Sequence, residues 1–200
     1  MSEQSETVFK IVVTGPFAAG KTTFIETVVE REFVTTAART STAPEVRVKR
    51  ATTIGMDFGV LTLEDPSGTI ELRLYGTPGQ DRFDFMWDLL ADGADAFVLL
   101  VSGEDTSSWL SARQHHHAME RASVPGVLAV NRATPDSLSR AADYFADLSL
   151  PVLPCQATDL EDVKAVLVES MLTVLAELDD PDAVPADEFA AEHIEPGAGS

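Results

Sequence analysis

The sequence predicts an α/β fold: a mostly parallel six-stranded sheet between two helical layers, with one antiparallel hairpin. Three observations lead there. Apolar, β-branched runs alternate with amphipathic stretches as far as Leu178, the pattern of strand–helix–strand units. Residues 15–22 read Gly-Pro-Phe-Ala-Ala-Gly-Lys-Thr between one such run and one such stretch, matching G-x-x-x-x-G-K-[ST] in the context that pattern requires. Asp65-Pro66-Ser67-Gly68 is a turn signal between two apolar runs.

The elements follow in order. Val8–Thr14 reads as a strand, and a helix runs from Thr22 to about Arg31. Residues 33–52 contain no clear element; Thr35 to Ala43 are nearly all Thr, Ser or Ala, with Pro44 after them. So long a loop in a compact domain is usually functional. Ile54–Glu64 and Thr69–Tyr75 form the hairpin. Ala96–Val101 and Val124–Val130 are continuous apolar runs, as expected of strands buried on both faces. Thr106–Arg121 reads as a helix, Pro135–Leu148 as a helix with proline in its first turn, and Leu150–Leu153 as a short strand. Leu160–Leu178 carries Leu160, Val163, Val166, Leu167, Met171, Val174, Leu175 and Leu178 at helical spacing. Residues 179–200 hold seven carboxylates, three prolines and no Lys or Arg, the composition of a disordered acidic tail. The expected organisation is one domain over 1–178 followed by that tail.

The octet has a direct chemical reading. Gly15 and Gly20 permit backbone angles and close approaches that a Cβ would block. The N–H groups from Ala18, Ala19 and Gly20 into the helix start at Lys21, Thr22 and Thr23 can then converge on phosphate oxygens. Lys21 would bridge the outer phosphates and the Thr22 hydroxyl would ligate Mg²⁺.

Composition narrows the partners. The net charge of −19 argues against nucleic acid and against direct binding to anionic lipid. The single cysteine, Cys155, allows no intrachain disulfide and suits a reducing, cytoplasmic setting; it reads as a buried thiol. No run reaches membrane-spanning length, and no lipidation signal stands at either end. Membrane recruitment would therefore need a membrane-bound partner. His115, His116 and His117 are consecutive within a predicted helix; neighbouring side chains there point about 100° apart, which does not converge on one metal. Trp109 reads as packing. Phe83, Phe85, Met86 and Trp87 serve equally as core packing or as an exposed patch for a partner.

With the phosphate loop placed, further strings gain meaning. Gly76-Thr77-Pro78-Gly79-Gln80 follows a strand and resembles the switch II segment, D-x-x-G-Q, of Ras-like small GTPases. Thr52-Thr53-Ile54-Gly55-Met56-Asp57-Phe58 resembles switch I, Asn131-Arg132-Ala133-Thr134 the N-K-x-D base-binding motif, and Gln156-Ala157-Thr158 the S-A-K loop. The resemblance covers about residues 8–178. It looks closest to bacterial proteins of the MglA kind, most of all the actinobacterial conservon type encoded beside a sensor kinase and a Roadblock protein. It implies a P-loop NTPase with a Ras-like three-layer fold that binds GTP or GDP with Mg²⁺ and hydrolyses GTP slowly. Thr53 would contact Mg²⁺ and the γ-phosphate, the Gly79 N–H would sense that phosphate, and Gln80 would orient water. Asn131, Arg132, Ala157 and Thr158 would face the base. A Roadblock-type protein is the implied partner.

Four positions depart from the family pattern, in three ways. Gly76 stands where a Mg²⁺-supporting Asp is usual, with Asp57 and Asp81 as candidates to replace it. Thr134 stands where an Asp pairs with guanine, and Asp136 lies two residues on. Arg132 and Thr158 replace two lysines. Arg47, Lys49 and Arg50 read as a solvated basic stretch ahead of a cis arginine finger, which demands close placement. Three functions remain open: a GTPase switch, a docking module that keeps the fold without useful turnover or with relaxed base specificity, and a small-molecule kinase. The kinase reading lacks an Arg-rich lid.

Overall fold

The computed structural model describes residues 5–29, 56–65, 68–79 and 84–178. Six strands form one sheet: β1 (Ser5–Thr14), β2 (Asp57–Asp65), β3 (Gly68–Gly76), β4 (Ala96–Ser102), β5 (Gly126–Asn131) and β6 (Val152–Cys155), in the order β2-β3-β1-β4-β5-β6. Every neighbouring pair is parallel except β2 with β3. The predicted α/β class, the six strands and the hairpin are all present. Among the described residues five α-helices cover the sheet: α1 over residues 21–29, α2 (Phe85–Ala91), α3 (Trp109–Arg121), α4 (Pro135–Tyr144) and α5 (Leu160–Leu178).

Strand alternation sorts the core into two halves. Ile11, Val13, Val98 and Leu100 face one side and pack with Phe24 and Val28 of α1 and Val163, Val166 and Leu167 of α5. Val12, Phe97, Leu99 and Val101 face the other and pack with Trp87, Trp109, Met119 and Phe145 from the α2–α3–α4 side. β4 is buried along its whole length, which is why its run carries no polar alternation.

Some boundaries differ from the sequence reading for local reasons. Ser5–Thr7 extend β1 because β3 continues beside them from Gly68. β5 begins at Gly126 rather than Val124, because the Val124 N–H closes α3 on Met119 O. β6 is displaced two residues onward; Pro151 lends only its carbonyl to Leu128 N–H, and the strand proper starts after it. The first three residues of the predicted 106–121 helix form a 3₁₀ turn capped by Asp105, and the predicted 135–148 helix ends at Tyr144 before a second such turn. The predicted structureless stretch 33–52 and the acidic tail lie outside the described residues.

β4 and β5 approach too closely for any side chain at Gly126. A Cβ there would lie 2.4 Å from Phe97 O and 2.5 Å from the Phe97 ring. Gly126→Ala is expected to cost about 1–3 kcal/mol of stability, measured as a lowered denaturation midpoint.

Candidate functional site

The phosphate loop follows the C-terminal end of β1, where the neighbours diverge to β3 on one side and β4 on the other, a position at which open α/β sheets hold ligands. Gly15 has φ +139°, and a Cβ on it would fall 2.1 Å from Leu100 O. Gly20 has φ +108°, with Asn131 Nδ2 2.3 Å from the same imagined atom. Both glycines are thus required by conformation and by crowding. The first helical hydrogen bond of α1 runs from Phe24 N–H to Gly20 O, 2.9 Å. The N–H groups ahead of it are the donors a helix start offers to an anion.

Lys21 is buried and donates to Gly15 O at 2.6 Å and Pro16 O at 2.7 Å. Burial lowers its pKa to about 8, with the Asp57 charge acting against that fall. Thr22 donates its hydroxyl proton to Asp57 Oδ2 at 2.5 Å. Asp57 pairs with Gly76 across the hairpin. A Cβ on Gly76 would lie 2.9 Å from Asp57 Cβ and 3.3 Å from its Oδ2. The vacancy at position 76 is therefore filled from the adjacent strand: Asp57 brings a carboxylate to the space that a side chain from Gly76 would enter. A hydroxyl beside a carboxylate is the oxygen donor set that suits Mg²⁺. Gly79 rests on the loop, with its imagined Cβ 2.6 Å from Phe17 N and 2.8 Å from Lys21 Nζ.

Beneath the loop lies a buried polar cluster that sequence reasoning missed. Thr14 Oγ1 is 2.9 Å from Thr77 Oγ1 and 3.0 Å from His115 Nδ1. Thr77 N–H donates to Val13 O at 3.0 Å, and Trp87 Nε1–H to Pro78 O at 3.0 Å. The Trp87 and His115 rings stack with centroids 3.8 Å apart. The histidine triplet hid this, since the three rings have separate fates: His115 and His116 are buried and His117 is exposed. Among the described residues no cluster of metal-ligating side chains occurs. Trp109 is core packing, as read, and donates to Ser102 O. Of the aromatic run, Trp87 is buried and Phe85 exposed. Cys155 is buried, which raises its thiol pKa to about 12.

The far end of the site is held by Asn131. Its Nδ2 donates to Ala19 O at 2.8 Å and its Oδ1 accepts from Ala157 N–H at 3.0 Å. Arg132, at φ +56°, donates to Ser102 Oγ at 2.9 Å, contacts Ala18 O at 3.4 Å, and sets its Nε 2.9 Å from Glu104. Ala18 is itself left-handed, φ +60°. Thr134 caps α4 in a reciprocal box with Ser137. Asp136 faces Arg140 at 3.1 Å. Thr158 is exposed. The structure thus brings together Gly15, Ala18, Ala19, Gly20, Lys21, Thr22, Gly79, Asn131, Arg132 and Ala157; Thr23 follows in the first turn of α1. Thr53, Gln80, Asp81, Arg47, Lys49 and Arg50 lie outside the described residues.

This strand order, with a phosphate loop after the first strand, defines a P-loop α/β fold of Ras-like type. The model of a family described as "Conserved hypothetical ATP binding protein" matches residues 30–195, and the chain belongs to that family. It is also similar to Ras-like GTP-binding proteins. Identity is 24% over 174 residues with the GTP-binding protein YPTM1 of Zea mays, covering 82% of this chain and 76% of that one. It is 24% over 175 residues with the Ras-related protein RABD2a of Arabidopsis thaliana, covering 82% and 78%. It is 25% over 179 residues with the Ras-related protein SEC4 of Candida albicans, covering 84% and 78%. These relatives place the chain in the Ras-like superfamily and support nucleotide binding. No described helix is long and apolar enough to cross a membrane.

A phosphate held by Lys21 would be bound in a pH-dependent way. A phosphate beside it favours the charged ammonium, so binding takes up a proton once pH exceeds about 8. Affinity is present in full below that value and is lost as pH rises through it. The dissociation constant for a nucleoside diphosphate should rise roughly eightfold between pH 7.5 and 9, as read by calorimetry in buffers of different ionisation enthalpy.

Proposed function

We propose that this chain is a nucleotide-operated switch that binds GTP or GDP with Mg²⁺, hydrolyses the triphosphate slowly and changes its affinity for a partner with nucleotide state. The observation that carries this reading is the convergence of Lys21, the Thr22–Asp57 pair and Gly79 on one phosphate loop. Loop N–H groups and Lys21 would hold phosphate. Thr22, with Asp57 behind it, and Thr53 would hold the metal, which when bound neutralises phosphate charge. Gln80, next after Gly79, would orient the attacking water. The finer assignment is an MglA-like, conservon-type signalling protein with a Roadblock-type partner; its support is the resemblance of the 52–58 and 76–80 strings.

A second reading, relaxed base specificity with ATP accepted, is favoured by Thr134. Its hydroxyl is engaged in capping α4, and no carboxylate stands at that position to meet the donors of guanine. The family model's own description, which names ATP, points the same way.

One set of variants tests the switch. Lys21→Ala should abolish nucleotide binding, and Gln80→Ala should slow single-turnover hydrolysis about 100-fold. Asp57→Asn should weaken Mg²⁺-dependent retention of a fluorescent diphosphate by about 10–100-fold. Gly76→Asp alone should be destabilised by its contact with Asp57, whereas Asp57→Gly with Gly76→Asp should recover retention. Retention indifferent to both Mg²⁺ and Asp57 would overturn the metal assignment. Competition by ATP and GTP separates the two base readings.

A further inference from the structure

We propose that His115 is a positioning residue for the nucleotide site: it latches the 76–79 segment onto the phosphate loop and thereby sets the preference between nucleoside di- and triphosphates. This deepens the switch reading and rests on it. Thr77 is pinned to the end of β1 through two atoms, its N–H on Val13 O and its hydroxyl on Thr14 Oγ1. Thr14 is the residue before Gly15, and His115 Nδ1 holds its hydroxyl from below at 3.0 Å. The next carbonyl, Pro78 O, is gripped by the Trp87 indole, and the His115 ring backs that indole at 3.8 Å. One imidazole on α3 therefore secures both sides of the 77–78 peptide.

The consequence falls on the following residue. Gly79 lies against Phe17 and within reach of the Lys21 ammonium. A diphosphate brings one phosphate to Lys21 and a triphosphate two, so the triphosphate must displace Gly79 further while Thr77 and Pro78 stay tethered. The tether opposes that displacement, and the latch disfavours the triphosphate.

Two features mark the ring as more than packing. His115 is fully buried, yet its Nε2 has no hydrogen-bond partner among the described residues. A buried orphan of this kind costs stability that an apolar side chain of similar size would not. Burial, reinforced by the Lys21 charge, also lowers its pKa to about 3. The ring is thus neutral at physiological pH and acts through Nδ1 and its face rather than by titration.

The test measures affinities of the full chain for nucleoside diphosphate and for a non-hydrolysable triphosphate, by competition against a fluorescent nucleotide. His115→Phe keeps the stacking and loses Nδ1; Thr77→Val loses only a hydroxyl and guards against misfolding of the first. Either should raise the triphosphate-to-diphosphate affinity ratio about five- to tenfold, the worth of one buried hydrogen bond. His115→Asn, which retains a polar atom near Nδ1, should restore the ratio to within about twofold of the parent. Parent tryptophan emission should change on exchange of diphosphate for triphosphate, and Trp87→Phe should remove the change. An unchanged ratio in folded His115→Phe and Thr77→Val, with the parent binding both nucleotides, would overturn the latch alone. A parent that binds neither would overturn the switch reading on which it stands.

Discussion

The Asn131 side chain is the interaction on which the geometry of the site depends. Its amide joins Ala19 O to Ala157 N–H, and its backbone carbonyl accepts from Gly103 N–H at 2.7 Å. Four loops, those after β1, β4, β5 and β6, thus meet at one buried residue. Thr27 adds a second strap by donating to Ala157 O at 2.7 Å. A loop built around Gly15 and Gly20 has little intrinsic reason to hold one conformation. The amide supplies that reason, because an unpaired buried carbonyl or N–H costs more than the bond itself returns. Preorganised N–H donors, and hence any affinity for phosphate, follow from this tie.

The hairpin shows how a carboxylate expected at one position can be supplied from the strand opposite. Read along the chain, Gly76 is a missing carboxylate. Read across the ladder, Asp57 and Gly76 are opposite one another, and the absence of a side chain on one strand is what admits the side chain of the other. The string that resembles the base-binding motif shows the reverse case. There Thr134 sits at the expected place but is committed to capping α4.

Much of this was legible in the sequence, and the unread part has definite causes. The octet at 15–22, the buried runs of β4 and β5 and the bounds of α5 depend on local pattern, and local pattern suffices for them. The start of β6 depends on a proline whose missing N–H matters only once a neighbouring strand is placed. The Thr14–Thr77–His115 contact joins residues 63 and 101 positions apart, and nothing in three adjacent histidines says which ring turns inward. Asp57 could be named as a substitute for Gly76, but only pairing register could choose it. The residues assigned to Mg²⁺ contact and water orientation at Thr53 and Gln80 rest on the sequence alone.

The position of β1 has a consequence for synthesis. It precedes the other strands of this sheet in chain order and lies in the middle of it, with Ile11 paired to Leu74 on one side and Ala96 on the other. Its hydrogen-bonding edges can be satisfied only after long chain closures, which slow folding. On a ribosome adding roughly 5–20 residues per second, the apolar run Val8–Val13 waits on the order of 5–20 s for β4. Until β3 follows it is a strand with no partner, and until β4 follows it keeps one unpaired edge, so its safe passage depends on shielding during translation.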